Sequence, residues 1–394
     1  MKQGIKKIIF ISTFPPRECG IATFTKSLVD SIKESNSEIK SEVVAVDIGN
    51  GHKYPQIVKK TFGQENVRDY EKAAEFINKS DADIISLQHE FWIYGGFNGR
   101  KIIELLKRLQ KPVVITLHSV PIHCSGKIKI NPDRYKSRTK LLREIFPYVK
   151  SVIVMTDSAK EYLIKEFDIL GGKVFVIPHG APTVSDEDIA VYVKQKQELG
   201  FSKNDLILTT FGLISPKKGL EYVIKALPHV LSNNPHLNVK YLIAGEMRPG
   251  KSDKYLSYLR NLTRKLKLEN NVIFDSRYLG IDEIFRYLAN SDIFITPYYK
   301  KEQTSSGTLS YAMAAGCCVV SMPYLFAKDL IKNNKIGELV EFKDSKSIEK
   351  SITGLVKNQP QIEEYRKNSY QVGKSIEFKK VAGLFVEILN KNLI

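Results

Sequence analysis

The sequence predicts an α/β protein made of two doubly wound, Rossmann-like units facing each other across a cleft. Three observations predict it. Short Ile- and Val-rich runs alternate with amphipathic stretches from end to end. Those runs show little of the period-two alternation of a half-exposed strand, as expected for parallel strands covered on both faces. The strand–helix series then stops and restarts near Leu206, across Pro178–Lys203, a stretch of Pro, Ser and charge with no clear strand. Each series therefore closes its own sheet, and 394 residues suit two such domains.

The elements follow in order. Lys2, Lys6 and Lys7 ahead of an apolar run briefly imitate a signal peptide, but Pro15-Pro16-Arg17 ends that run too early, so Lys7–Ser12 reads as a buried strand. Apolar spacing at three and four residues predicts helices over Ile21–Ile32, Ala73–Asn78, Arg100–Gln110, Thr139–Phe146 and Ala159–Phe167. Compact apolar runs between them predict strands at Val43–Val46, Asp83–Leu87, Pro112–Leu117, Ser151–Met155 and Lys173–Ile177. In the second series the same signals give strands at Asp205–Phe211, Val239–Ala244, Val272–Asp275, Ile293–Thr296 and Cys317–Ser321. They give helices at Leu220–Leu231, Lys254–Leu266, Asp282–Ala289, Thr308–Ala315 and Ser345–Val356. The expected organisation is a first domain over 1–185, a linker over 186–204, a second domain over 205–374, and a last helix over 375–394.

Composition narrows the function. Hydrophobic residues at 43% and charged residues at 26% describe a globular chain, and no uncharged run is free enough of Ser, Gly and Pro to span a bilayer. Four cysteines, two of them adjacent, form neither a disulfide framework nor a zinc pattern, which points to a cytoplasmic protein. A net charge of +17 invites a nucleic-acid reading. The excess is nevertheless divided almost evenly between residues 1–180 and 181–394, without a basic tail, so nucleic acid is not the expected partner. An anionic substrate or an anionic membrane face fits the charge as well as compositional bias does.

In doubly wound sheets, ligands sit beyond the carboxyl ends of the strands, so the strand-end residues carry the functional reading. Pro15-Pro16-Arg17-Glu18-Cys19-Gly20 opens a helix whose first N–H groups could hold an anion or a hydroxyl, with Gly20 permitting close approach. Gln88-His89-Glu90 and Trp92 put polar groups beside an aromatic face, the chemistry of a carbohydrate site. His118 ends one strand, with His123 in the loop beyond, and His179 ends another. Phe211-Gly212-Leu213-Ile214-Ser215-Pro216-Lys217-Lys218-Gly219 sets two lysines before a helix, a phosphate cradle though not a P-loop. Glu302-Gln303-Thr304-Ser305-Ser306-Gly307-Thr308 offers amide and hydroxyl donors at a helix start, the best seat for a diphosphate.

Taken in order, these segments resemble glycosyltransferase family four, the retaining sugar-nucleotide transferases of GT-B architecture, over nearly the whole chain. Phe211–Gly219 is similar to that family's G-R-L-x-P-x-K-G, and Tyr311-Ala312-Met313-Ala314-Ala315-Gly316 to its E-A-M-A-A-G. Ile177-Pro178-His179-Gly180 is similar to I-P-N-G, Thr116-Leu117-His118 to T-x-H, and Ser375–Leu393 to the final helix that returns to the first domain. The chain departs from the pattern at three places: Leu213 replaces the motif arginine, and Gln303 and Tyr311 replace the paired glutamates that contact the donor sugar and the ribose.

The resemblance implies a retaining hexosyltransferase whose first domain takes a carbohydrate or lipid-linked acceptor and whose second takes a nucleotide sugar, with a mannosyl donor as the working expectation. No D-x-D motif falls where a metal would be needed, and no cofactor is implied beyond the donor substrate. The implied catalytic residues are His118, Lys218 and Gln303, with Glu302 as the alternative to Gln303. Gly212, Lys217, Ser305, Ser306, Gly307, Thr308, Tyr311 and Tyr278 are assigned to the donor, and Arg17, Gly20, Gln88, His89, Glu90 and Trp92 to the acceptor. The basic stretches Arg100–Lys111 and Gly126–Lys150 suggest peripheral docking on the inner membrane face. A GT-B sugar-nucleotide epimerase using Glu90 and Glu302, a non-catalytic sugar-binding or scaffolding protein, and a nucleic-acid binder remain the competing readings.

Overall fold

The computed structural model describes residues 4–49, 51–122, 132–247 and 253–393. They form two units: Met1–Gly180 with Glu302–Ser305 and Phe378–Ile394, and Ala181–Lys301 with Ser306–Glu377.

The first unit holds seven parallel strands: β1 (Lys7–Ser12), β2 (Lys40–Asp47), β3 (Val58–Gly63), β4 (Ile84–His89), β5 (Val113–Leu117), β6 (Ser151–Val154) and β7 (Val174–Val176). Their order is β3-β2-β1-β4-β5-β6-β7. β1, β4, β5 and β6 are buried along nearly their whole length, which is why their sequences read as unbroken apolar runs. The helix Gly20–Ser35 packs along Phe378–Lys391, the last helix of the chain.

The second unit has six parallel strands: β8 (Asp205–Phe211), β9 (Asn238–Ala244), β10 (Val272–Asp275), β11 (Ile293–Thr296), β12 (Cys318–Ser321) and β13 (Gly337–Leu339). Their order is β10-β9-β8-β11-β12-β13. Its core joins Leu208, Ile243 and Ile295 from the sheet to Val223 and Leu227 of the helix Leu220–Asn233 and to Ile348 and Ile352 of Ser345–Val356. In each sheet the order reverses beside the first strand, between β1 and β4 and between β8 and β11. The carboxyl ends of such neighbours diverge into a crevice, and the loops after these four strands carry most of the residues singled out above.

Several elements differ from expectation. The boundary between the units falls at Gly180/Ala181. Residues 186–204, expected as a linker, contain the helix Asp186–Val193, closed by a capping box between Ser185 and Asp188 and packed on Ile281–Ala289. That helix has no buried residue, and Val191 and Val193 are exposed, so it lacks the apolar stripe that marks a helix in sequence. The edge strand β3, Val-Lys-Lys-Thr-Phe-Gly, hides for the same reason. The expected helix Arg100–Gln110 shortens to Ile102–Leu106 behind a tight turn at Phe97–Gly99. The helices Leu325–Asn334 and Gln359–Ser375 are additional. His123, Cys124 and the start of the Gly126–Lys150 stretch lie outside the described residues.

One crossing steadies the donor-side helix. A Cβ on Gly373, in Gln359–Ser375, would lie 2.5 Å from the Met313 carbonyl oxygen and 2.6 Å from the Ala314 nitrogen. The helix Gly307–Ala314 thus meets its neighbour backbone to backbone. Gly373→Ala should lower unfolding stability by about 1–3 kcal/mol through overpacking. Chemical denaturation reads this as a lower midpoint, and an unchanged midpoint would refute the close crossing.

Candidate active site

In the first unit, β4 and β5 end side by side. Gln88 sends its amide NH2 to the Ser86 hydroxyl at 3.0 Å and the Thr116 hydroxyl at 3.4 Å. Its carbonyl oxygen therefore faces His118 Nε2, 2.9 Å away. That nitrogen must carry the proton, which leaves Nδ1 as the acceptor of the ring. Phe24 meets the imidazole edge to face at 4.8 Å. Burial first, then His179 and His89, hold His118 well below its ordinary pKa, so the ring works as a neutral imidazole. His179 packs on Phe24 and Phe378 and is pushed down to about 4, chiefly by burial.

The expected acceptor residues divide. Glu90 and Trp92 reach the surface, Trp92 at 40% exposure. Gln88 and His89 are fully buried and cannot touch an acceptor. Gln88 contacts His118 instead, while His89 has both ring nitrogens without a hydrogen-bond partner among the described residues. Arg17 is buried too. Its guanidinium donates to the Val46 carbonyl at 3.3 Å and to the Gln64 amide oxygen at 3.4 Å, and lies 5.9 Å from the centre of the Trp92 ring. Gly20 opens its helix with nothing within 4 Å of where a Cβ would stand, so close approach to a neighbouring group does not require glycine there. The Cys19 sulfur accepts from Ala22 N at 3.4 Å and caps that helix.

In the second unit, several residues expected at the donor gather at the β8/β11 reversal. Gly212 sits at φ 117°, and a Cβ there would lie 2.9 Å from Thr308 Cγ2 and 3.4 Å from Lys218 Nζ. The Lys218 ammonium stands 3.7 Å from the centre of the Tyr298 ring. The Tyr298 hydroxyl and Thr308 Oγ1 share a hydrogen bond of 3.0 Å. Among the described residues no carboxylate pairs with Lys218, and burial alone pushes it down to about 7. Lys217, beside it, is exposed.

The segment expected as one anion seat is shared between the units. Ser305 belongs with the first unit, where its hydroxyl donates to the His118 carbonyl at 2.9 Å. Gln303 donates to the Ser305 carbonyl at 2.9 Å. Glu302 acts electrostatically on Arg138. Ser306 belongs with the second unit and caps Gly307–Ala314, accepting from Leu309 N at 3.4 Å. Tyr311 lies between aromatic rings, stacked on Phe285 and tilted against Phe211, both at 5.9 Å. Burial, with Tyr278 as a second cause, lifts its phenol to about 12. Tyr278 itself is 66% exposed beyond β10. Among the described residues no group of three or more His, Cys, Asp or Glu could hold a metal ion, and no helix is long and apolar enough to cross a membrane.

The family profile described as Glycosyl transferases group 1 matches residues 192–372, and the one described as Glycosyltransferase Family 4 matches residues 32–184. The chain is a family 4 glycosyltransferase. An uncharacterized glycosyltransferase of Methanocaldococcus jannaschii is 23% identical over 85% of each chain. Among solved structures, sucrose-phosphate synthase from Thermosynechococcus elongatus superposes with a TM-score of 0.78 at 15% identity, over 98% of both chains. HepE of Anabaena, in complex with UDP-glucose, superposes at 0.72 with 18% identity, over 98% of this chain and 99% of its own. At such identities the superpositions establish the fold, two parallel-sheet domains of GT-B type.

Sequence reasoning missed three side chains of this glycosyltransferase that touch or act on the residues described above. Tyr298 stands directly beyond β11 in Pro297-Tyr298-Tyr299 and could have been found as a strand-end aromatic. Phe24 and Arg138 project from helices, where nothing in the spacing separates them from core or surface residues. The Gln88–His118 contact yields a direct prediction. Gln88→Leu removes the acceptor of a buried imidazole N–H and a donor shared by two hydroxyls. It should cost about 1–3 kcal/mol of stability, read as a fall in the denaturation midpoint. A midpoint equal to the unsubstituted protein would show that His118 takes another partner.

Proposed function

We propose that the chain transfers a hexosyl group from a nucleoside-diphosphate sugar to a carbohydrate or lipid-linked acceptor, with retention at the anomeric carbon. The observation that carries this reading is the set of Gly212, Lys218, Tyr298 and Thr308 at the β8/β11 reversal. A backbone that must stay bare, a desolvated cation and the start of a helix are what a diphosphate needs. HepE supports the donor class, since it binds UDP-glucose.

In the proposed reaction the bond between the anomeric carbon and the diphosphate oxygen breaks. An acceptor hydroxyl oxygen attacks the same face, and its proton passes to the departing diphosphate. Lys218 and the amides at Ser306–Thr308 stabilise the negative charge that collects on that leaving group. Neutral His118 is assigned to the transferred sugar, with Nδ1 accepting a hydroxyl. Gln303 is assigned to a second sugar hydroxyl, since its NH2 is held by Ser305 and its carbonyl oxygen remains to accept.

The low pKa of Lys218 gives this reading a pH signature. In the free enzyme the ammonium loses its proton as pH rises through about 7. A bound diphosphate favours the charged form and raises that pKa, so binding above pH 7 takes up a proton and weakens with rising pH. UDP should bind roughly tenfold more weakly at about pH 8.5 than at about pH 6.5. Lys218→Arg should flatten the profile, because guanidinium stays charged. Calorimetry in buffers of different ionisation enthalpy checks the proton uptake. PH-independent affinity in the unsubstituted enzyme would remove Lys218 from the donor site.

Kinetics on two neighbours tests the sugar assignment. Gln303→Ala should lower kcat/KM by about 2–3 kcal/mol in transition-state terms, by leaving a sugar hydroxyl unpaired. Gln303→Glu should keep partial activity, and Glu302→Ala should be mild. A severe Glu302→Ala beside a mild Gln303→Ala would reverse the assignment.

A further inference from the structure

The diphosphate seat proposed at Gly212, Lys218 and Thr308 continues along one helix face. Thr308 and Tyr311 are three residues apart on Gly307–Ala314, so their side chains are neighbours on that face. Phe211, which ends β8, directly precedes Gly212. The Tyr311 ring tilts at 36° against Phe211 and stacks within 14° on Phe285 of Ile281–Ala289. Toward Lys218 the seat ends on the Tyr298 ring, and Gly219 crosses the Pro297 carbonyl so closely that a Cβ would overlap it. One turn of helix rises about 5.4 Å, on the scale of the step from a phosphate to the furanose it esterifies. A nucleoside carried by the diphosphate therefore meets Tyr311.

That position offers a ring and one hydroxyl. Tyr311 is partly buried, and its phenol, lifted to about 12 chiefly by burial, stays un-ionised. A neutral phenol has one proton to donate, and it cannot bracket the two neighbouring hydroxyls of a ribose as a carboxylate does with two oxygens. The carboxylates of the adjoining elements are committed. Asp275, at the end of β10, accepts from Arg277 Nε at 2.9 Å, from Arg277 Nη2 at 2.7 Å and from the Tyr287 hydroxyl at 2.9 Å. Glu283 pairs with Arg277 at 3.1 Å and accepts from Gly280 N at 3.0 Å. Tyr278, exposed in the loop beyond β10, adds a further aromatic ring beside Tyr311.

We propose that the donor is a 2′-deoxynucleoside diphosphate sugar, whose deoxyribose lies on the Tyr311 ring. The proposal rests on reading Gly212, Lys218 and Thr308 as the seat of the donor diphosphate. An aromatic wall suits the CH2 at C2′, which packs against a ring. A 2′-hydroxyl in the same place gives up water and competes for a single phenol. Such a wall does not exclude ribose, since an apolar pocket rejects an added hydroxyl by only about a hundredfold at most. UDP therefore still binds.

The test is calorimetric titration of the full chain with UDP, 2′-deoxy-UDP, GDP and 2′-deoxy-GDP. For the base that binds, the deoxy form should bind as tightly as the ribose form or more tightly. Tyr311→Glu, which sets a two-oxygen acceptor beside the furanose, should move that ratio about tenfold toward ribose. A ribose form that binds the unsubstituted chain more than about threefold more tightly than its deoxy partner would overturn the proposal. So would a Tyr311→Glu variant that binds nucleotide with the ratio unchanged. If that variant does not fold, the ratio in the unsubstituted chain decides alone. Ribose nucleotides that bind while their deoxy partners are rejected sink this inference and leave the donor site standing. If no nucleotide binds, the donor-site reading falls and this inference falls with it.

Discussion

Reversal of strand order beside β1 and beside β8 is the constraint on which the candidate site depends. A parallel sheet must return its chain across one face or the other, and where the direction of winding changes, neighbouring strands release their loops to opposite sides. The gap admits a ligand to backbone N–H groups without breaking a ladder. Gln88, His118, Gly212 and Lys218 all stand at or within a few residues of the carboxyl ends of strands in the middle of a sheet, where the backbone is rigid. A group placed there inherits that precision, while the loop beyond it can vary in sequence without disturbing the core.

Desolvation then sets the chemistry on both units. Burial works against the charged form of both His118 and Lys218, beside Phe24 in one case and beside Tyr298 in the other. The consequences differ because the acids differ in strength. A histidine whose pKa starts near 6.5 is held well below it and serves as a neutral hydrogen-bonding group, its tautomer set by Gln88. A lysine moved down to about 7 becomes a group whose charge an arriving anion can restore. Burial thus gives one unit a fixed polar contact and the other a responsive cation.

The fold was legible in the sequence, and so was the placing of the polar loops after β8 and β11, because both rest on local signals. Unbroken apolar runs mark strands covered on two faces, and the Gly-Leu-Ile-Ser-Pro-Lys-Lys-Gly loop and the Ser-Ser-Gly-Thr helix start fall directly after such runs. The burial of Arg138 was illegible because its contacts with Phe91 and Asn98 come from about forty residues away, and its own helix reads as a solvated basic face. Gln88 and His89 were placed correctly in the chain and misread in exposure. A polar pair at a strand end looks like a binding edge, and only the tertiary contacts show that Ser86, Thr116 and His118 enclose one of them while Phe91 and Tyr94 pack against the other.

The departures from the family motif make electrostatic sense together. Relative to that motif, the chain lacks one arginine, at Leu213, and two carboxylates, at Gln303 and Tyr311. The combined change removes a cation and two anions from the motif positions together. Tyr311 does not stand as a substitute carboxylate, since its ring is clasped by Phe211 and Phe285. What remains is Lys218, on which no carboxylate acts and whose pKa is set by burial alone. A carboxylate placed beside it would draw the lysine back to its charged form before any substrate arrived. With no carboxylate beside it among the described residues, the proposed diphosphate would supply the charge that pairs with it.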